Sequence, residues 1–159
     1  MDTKEIFANK ILNLKGILYV AGNGGSAELS NHLACDFMKI GIKTISLVSN
    51  NSLITMIAND YGYETIFEYQ LRVLLKPDDM VLLISSSGNS SNVVKAAIIA
   101  KEKGVPVLSL TGFSGGKLKE VSFINHHVDI NDYGLVECMH ANFFHELTNK
   151  MRETINANA

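Results

Sequence analysis

The chain has 159 residues, of which 47% are hydrophobic and 19% are charged. This length and composition predict a single folded domain, residues 1–159, with one hydrophobic core. The formal net charge of −2 offers no basic surplus for nucleic acid, and the longest apolar runs have the length of strands rather than of membrane spans. We therefore expect no nucleic-acid partner, no membrane partner and no signal peptide.

The two cysteines, Cys35 and Cys138, form no CxxC pair and fall inside apolar helical patterns. This placement predicts buried free thiols. Free thiols are typical of a reducing compartment, so we expect a cytoplasmic protein.

Short apolar runs alternate with amphipathic segments along the whole chain. The predicted strands are 16–21, 44–48, 79–84, 106–110 and a fifth near 128–130. The predicted helices are 2–13, 27–38, 51–58, 65–75, 91–103 and 136–155. This alternation predicts an α/β fold with a doubly wound, mostly parallel sheet flanked by helices, a three-layer sandwich of the flavodoxin or Rossmann kind. Ligands of such folds bind beyond the carboxyl ends of the strands, where the strand order reverses.

A serine-rich loop, SSSGNS at 85–90, follows the third predicted strand and precedes a helix. Hydroxyl groups and the free N–H groups of a helix N-terminus together favour an anion such as phosphate. The loop has no lysine and does not match the nucleotide-binding P-loop. On composition alone, a helix-capping loop without a ligand is an equally good interpretation.

A second loop, GNGGS at 22–26, follows the first predicted strand. Its three glycines allow the backbone to approach a ligand closely or to adopt a positive φ. It is not a dinucleotide fingerprint, because the third glycine of that pattern is replaced by Ala27. A tight turn between a strand and a helix is the alternative.

Four motifs in order resemble the phosphoheptose isomerases, which have the sugar isomerase (SIS) fold. They are GNGGSA at 22–27, AND at 58–60, ISSSGNS at 84–90 and LTG at 110–112 followed by Gly115 and Gly116. The resemblance extends from about Gly16 to Met151. It implies a sugar-phosphate site bordered by Asn23, Gly24, Ser26, Ser85, Ser86, Ser87 and Ser90, with Asn59 and Asp60 near its rim. The same motifs occur in the DnaA initiator-associating protein, which is a binding protein.

Two pairs of side chains are candidates for acid–base chemistry or for a metal. His32 and Asp36 are four residues apart on one predicted helix, and Glu137 and His145 are eight apart on another, so each pair shares a helix face. Two carboxylates and two imidazoles suit a tetrahedral zinc ion, although each residue alone is more often an ordinary surface group.

The resemblance assigns roles to these four residues. They match the family positions that bind zinc in many members, and Asp36 and His145 match its proposed acid–base pair. Asp36 replaces the family's Glu and is one methylene shorter, Glu137 replaces its Gln, and Gly134 stands where the family has an Asp. We interpret the three other histidines, His126, His127 and His140, as structural or surface residues.

Two functions follow as alternatives. By resemblance, the chain is an isomerase that converts sedoheptulose 7-phosphate to D-glycero-D-manno-heptose 7-phosphate, with Asp36 as base, His145 as acid and one Zn²⁺ per site. The shorter Asp36 favours the alternative, a non-catalytic SIS module that binds a sugar phosphate or a protein partner. The relatives complete their sites with neighbouring subunits, so we expect a homo-oligomer, a dimer or a tetramer, assembled through apolar residues of the last helix: Met139, Phe143, Phe144 and Leu147.

Overall fold

The structure is a computed structural model that describes residues 2–159. Its five strands are β1 (Leu18–Gly22), β2 (Thr44–Ser46), β3 (Met80–Ser85), β4 (Val107–Thr111) and β5 (Ile124–His127). Its α-helices are α1 (Thr3–Leu12), α2 (Gly25–Lys39), α3 (Asn51–Tyr61), α4 (Ile66–Leu74), α5 (Ser91–Glu102), α6 (Gly116–Val121) and α7 (Tyr133–Ala157). A short 3-10 helix, Tyr63–Thr65, joins α3 to α4. None of the helices within residues 2–159 is both long and apolar enough to cross a lipid bilayer.

All five strands are parallel and lie in the order β2-β1-β3-β4-β5. The chain moves outward from β1 to β2 and then returns to the other side of β1 to place β3, so the strand order reverses between β1 and β3. The two strands pair directly, with Leu18 opposite Met80 and Gly22 opposite Ile84. This topology confirms the predicted doubly wound α/β fold and places the loops after β1 and β3 at the reversal point, where such folds bind ligands.

Alternating strand residues supply the two halves of the core. On one face, Leu18 and Val20 of β1 pack with side chains of α1, α2 and α7, and on the other Tyr19 and Ala21 pack with side chains of α3 to α6. Both faces of β1 are buried, because helices cover a parallel sheet on both sides. Each such apolar side chain contributes roughly 1.5–3 kcal/mol when it is fully buried. The core therefore fixes α2 and α7 side by side on one face of the sheet.

The last strand lies earlier in the chain than the sequence predicted. It is β5, Ile124–His127, rather than 128–130, and its residues are all half-buried. A polar side chain of β5 bonds to the neighbouring strand β4: the Asn125 side-chain amide donates to Ser109 Oγ at 2.8 Å. With Ile124 as its one apolar residue, this edge strand lacks the apolar run that marks β1, β3 and β4.

Two expectations about individual side chains are wrong. Cys35 and Cys138 are exposed rather than buried, because neither side chain belongs to the hydrophobic core beneath α2 and α7. The apolar residues proposed as an interface on the last helix are mostly core residues. Phe143, Phe144 and Leu147 are buried in the cluster beneath α7, and Met139 is exposed.

Candidate active site

The glycine loop after β1 turns the chain directly into α2. Gly24 precedes the first helical residue with φ of 54° and ψ of −123°, a conformation that favours glycine. Ser26, in the first turn, is buried. The Asn23 side chain is held by Tyr63, whose hydroxyl donates to Asn23 Oδ1 at 3.0 Å, and by Asn92 at the start of α5. The loop is therefore fixed to two other elements of the fold.

The serine loop after β3 is organised by its own hydroxyls. The backbone N–H of Gly88 donates to Ser85 Oγ at 3.1 Å, and the N–H of Asn89 donates to Ser87 Oγ at 3.2 Å. Within residues 2–159, the buried Ser86 Oγ has no hydrogen-bond partner. Ser90 precedes α5 without forming a side-chain cap. The hydroxyls of Ser86 and Ser90 thus remain available to a ligand.

Gly88 allows the serine loop to pack against the loop that begins α6. Its φ is 68°, and a Cβ at this position would lie 1.9 Å from the carbonyl oxygen of Gly115. Any larger residue would force the two loops apart. The shape of the serine loop therefore depends on the turn after β4 as well as on β3.

A cavity of about 120 Å³ lies between the two loops. It is lined by Asn23, Ser26, Ile84, Ser85, Ser86, Ser87, Ser90, Tyr133 and Glu137. None of these residues is a lysine or an arginine, so an anion here would be held by hydroxyl groups and by the N-terminus of α5. The structure thus brings together the predicted phosphate-loop serines, Asn23 and Ser26.

The other predicted phosphate-site residues lie outside this lining. Gly24 forms the turn into α2. Asn59 and Asp60 are exposed near the end of α3, where the Asn59 amide donates to Asp60 Oδ1 at 2.9 Å.

Three of the four predicted metal or acid–base residues form a cluster between α2 and α7. His32 Nε2 lies 3.3 Å and His145 Nδ1 lies 4.0 Å from Asp36 Oδ2. The two imidazole rings meet edge to face, with centroids 5.2 Å apart. One ligand atom from each of the three residues lies within 4.8 Å of the others, so the cluster could hold a metal ion. We call His32, Asp36 and His145 the helix-pair cluster.

Glu137 does not join the helix-pair cluster. Its carboxyl group lies over Gly25, where an added Cβ would come within 2.7 Å of Glu137 Cδ. A side chain at position 25 would therefore displace this carboxylate. Glu137 instead lies beside the first turn of α2 and lines the phosphate-loop cavity.

A second cavity, of about 450 Å³, lies beside the first turns of α2 and α7. It shares Ser26 and Glu137 with the phosphate-loop cavity, and it shares His32 with the helix-pair cluster. Its wall also includes His140. We call these two adjoining cavities, which share Ser26 and Glu137 and reach His32, the groove.

Of the three remaining histidines, His140 is buried and lines the second cavity, whereas His126 and His127 are half-buried residues of β5. Burial lowers the pKa of His140 to about 4, because the charged imidazolium would lose its hydration. Burial also lowers the pKa of His126, which stacks on Phe143 with centroids 3.9 Å apart, and the pKa of His127. These histidines are thus favoured in the neutral form.

Sequence reasoning missed several residues of the site. Tyr133 lines the phosphate-loop cavity, and Asn92 and Tyr63 hold Asn23. Asn92 lies two residues beyond the serine loop, so its position at a helix start was a usable signal. Tyr63 and Tyr133 are distant in sequence from both loops, and only the folded chain brings them near.

The chain matches the family model described as SIS domain over residues 3–112. It is 39% identical over 142 residues to the phosphoheptose isomerase of Helicobacter pylori strain P12, which covers 86% of this chain and 74% of that protein. It is 35% identical over 157 residues to the phosphoheptose isomerase of Geotalea daltonii, which covers 95% of this chain and 81% of that protein.

A solved structure is also similar to this chain. Phosphoheptose isomerase GmhA from Neisseria gonorrhoeae superposes with a TM-score of 0.90 at 30% sequence identity, over 94% of this chain and 85% of that chain. The similarity therefore includes both loops and both helices of the groove.

Proposed function

The chain belongs to the phosphoheptose isomerases of the SIS domain family, and on that premise we propose that it isomerises sedoheptulose 7-phosphate to D-glycero-D-manno-heptose 7-phosphate. The observation that carries this proposal is the groove that joins the serine loop to the helix-pair cluster. It offers an anion site at one end, and at the other end it reaches His32, beside which Asp36 and His145 lie, as a phosphorylated sugar with a distant carbonyl requires.

The phosphate group of the substrate binds in the serine loop. Ser86 and Ser90 donate hydrogen bonds to it, and the free N–H groups at the start of α5 add a partial positive charge. Glu137 also lines this cavity and would repel a phosphate dianion. We therefore place the phosphate on the α5 side, away from Glu137.

Isomerisation moves a proton between two neighbouring carbons through an enediol. Asp36 removes the proton from C1 of the ketose and returns it to C2, while His145 donates a proton to the carbonyl oxygen and recovers one from the C1 hydroxyl. The product is an isomer, so no oxidant or other co-reactant is consumed. The 4.0 Å separation of His145 Nδ1 and Asp36 Oδ2 lets both groups reach one edge of the substrate.

We propose zinc as the metal of the helix-pair cluster. Two imidazole nitrogens and one carboxylate oxygen are ligands that zinc prefers, and three protein ligands leave a position for substrate. Glu137, the fourth predicted ligand, lies over Gly25 and is not part of this set. When bound, zinc would polarise the substrate carbonyl and stabilise the charge of the enediolate.

We also propose that the protein is a homo-oligomer, a dimer or a tetramer. His32 and His145 have exposed side-chain fractions of 57% and 56%, so the helix-pair cluster lies at an open surface. Met38, an exposed apolar side chain of α2, lines the same surface cavity as His32 and Asp36. A second subunit over this surface would bury Met38 and enclose the site. Light scattering that finds a monomer at micromolar concentration would overturn this proposal.

A cytoplasmic location is part of the same proposal. It is supported by the exposed free thiols of Cys35 and Cys138, because exposed thiols persist best in a reducing compartment.

The test of the proposed function is direct. Purified protein is incubated with sedoheptulose 7-phosphate, with and without added zinc, and NMR follows the appearance of the aldoheptose phosphate. We expect the two sugars to reach the same equilibrium mixture from either side. Binding without turnover across a panel of ketose phosphates would replace this proposal with the non-catalytic binding module.

A further inference from the structure

His140 is a histidine of α7 whose two ring nitrogens have different surroundings. The side chain is fully buried. Nε2 lies 3.2 Å from the carbonyl oxygen of Thr111, the last residue of β4. A carbonyl oxygen can only accept a hydrogen bond, so Nε2 carries the proton.

This bond fixes the other nitrogen as an acceptor. Burial keeps the imidazole neutral, so Nδ1 carries a lone pair and no proton. Nδ1 is buried and has no hydrogen-bond partner within residues 2–159. A buried acceptor without a donor is unfavourable, and native structures rarely leave one unpaired. The missing donor therefore points to a ligand.

The cavity that His140 helps to line indicates which ligand. His140 lines the 450 Å³ cavity together with Ser26, Glu137 and His32. This cavity lies between the serine loop and the helix-pair cluster, where the middle carbons of a sugar phosphate would lie. Each of those carbons carries a hydroxyl group, and a hydroxyl is a hydrogen-bond donor.

We propose that Nδ1 of His140 accepts a hydrogen bond from a hydroxyl group on the middle carbons of the bound sugar phosphate. The inference rests on the proposed function and makes His140 a sugar-binding residue. It also gives the ring a second partner while Nε2 remains bonded to Thr111. Glu137 provides a further acceptor along the same cavity, so this part of the groove suits a polyhydroxy chain.

The bond to Thr111 links sugar binding to the serine loop. Thr111 pairs with Ser85 in the sheet, and the N–H of Gly112, the next residue, donates to the Ser86 carbonyl oxygen at 2.7 Å. A role of His140 in loop structure alone would therefore alter phosphate binding. A role in sugar recognition would alter sugar-phosphate binding and leave inorganic phosphate unaffected.

The test compares two probes on His140→Gln. The glutamine amide can donate to the Thr111 carbonyl oxygen as Nε2 does, but it lacks the acceptor at Nδ1. Calorimetry should find sedoheptulose 7-phosphate bound about 3- to 10-fold more weakly, the effect of one lost neutral hydrogen bond. Inorganic phosphate should bind as to the wild type. His126→Gln, a half-buried histidine outside this cavity, is the matched control and should change neither affinity.

A second measurement uses the wild type and does not depend on a variant folding. In protein with ¹⁵N-labelled histidine, sedoheptulose 7-phosphate should shift the His140 Nδ1 resonance toward that of a hydrogen-bonded nitrogen, and inorganic phosphate should not. Two outcomes would overturn this inference and leave the proposed function standing. One is sugar-phosphate binding without this shift, and the other is an equal loss of affinity for sedoheptulose 7-phosphate and inorganic phosphate in His140→Gln. Binding with the shift but without turnover would overturn the proposed function alone. No binding of the sugar phosphate would overturn both.

Discussion

Asn23 and Asn92 form a reciprocal pair of side-chain amide hydrogen bonds. Asn23 Nδ2 donates to Asn92 Oδ1 at 2.8 Å, and Asn92 Nδ2 donates to Asn23 Oδ1 at 2.9 Å. One residue lies in the loop after β1 and the other in the first turn of α5, directly after the serine loop. The pair therefore fixes the distance between the two loops that enclose the phosphate-loop cavity.

Replacing Asn92 by Ala should loosen this connection. Both amide bonds are lost and Asn23 keeps its bond from Tyr63, so we expect a loss of about 1–3 kcal/mol in the free energy of unfolding. Phosphate binding should weaken at the same time. Urea unfolding and calorimetry measure the two effects. Asn142→Ala, which removes an exposed asparagine bond to Glu146, is the control and should alter neither by a comparable amount.

Ser86→Ala should weaken anion binding without disturbing the loop. Ser86 Oγ makes no hydrogen bond within residues 2–159, whereas Ser85 and Ser87 each support the loop backbone. Inorganic phosphate should raise the melting temperature of the wild type through linkage, and less so that of the variant. Ser122→Ala, at the opposite end of the sheet, should respond like the wild type. An unchanged rise in Ser86→Ala would remove this hydroxyl from the site.

Asp36→Asn and His145→Ala should each slow isomerisation by a factor of about 10² to 10⁴, the usual contribution of a positioned base or acid. Phosphate-induced stabilisation should stay near that of the wild type, because the serine loop is untouched. NMR measures the rate and thermal unfolding measures phosphate binding. Asp36→Glu lengthens the side chain by one methylene, keeps the carboxylate and should retain activity. Wild-type rates in both knockouts would contradict the assigned roles.

Zinc should copurify with the protein at close to one ion per chain. His32→Ala and His145→Ala should each lose most of it, since either change removes one ligand of the helix-pair cluster. Elemental analysis of protein purified without chelator measures the content, and His127→Ala is the control. Absence of zinc from the wild type after it is added back would leave these residues as an acid–base cluster without metal.

The stability of the fold should fall as the pH falls from about 6.5 to about 4. The pKa of His140 is lowered to about 4 in the folded protein from an ordinary 6.5, so in this window the unfolded chain binds a proton that the folded chain does not. The contribution is fully present above pH 6.5 and is lost progressively below it, at most about 3 kcal/mol.

Urea midpoints at pH 7 and pH 5 test this pH dependence. His140→Gln should show a smaller difference between the two pH values than the wild type does. An equal difference in both proteins would show that other groups control the acid sensitivity. The pKa of His126 is lowered in the same direction by burial, so His126→Gln should also reduce the difference.

The sequence alone determined the fold class and the two loops. Three of the strands, β1, β3 and β4, are mostly apolar and buried on both faces, as is usual in parallel sheets, so apolar runs mark these strands directly. A loop between a strand and a helix is a local feature, so the sequence predicts one site for Ser85, Ser86, Ser87 and Ser90. The four residues do line one cavity. The position of the edge strand β5 could not be predicted in this way, because its residues do not form an apolar run.

Only the tertiary structure decided how distant side chains meet. The spacing of His32 and Asp36 placed them on one face of α2, but the packing of α2 against α7 brought His145 beside them and left Glu137 over Gly25. A helix face is set by local periodicity, whereas the rotation of one helix against another depends on the whole buried core. For the same reason, the Nδ1 atom of His140 was recognised as unpaired only after burial and the bond to Thr111 were known.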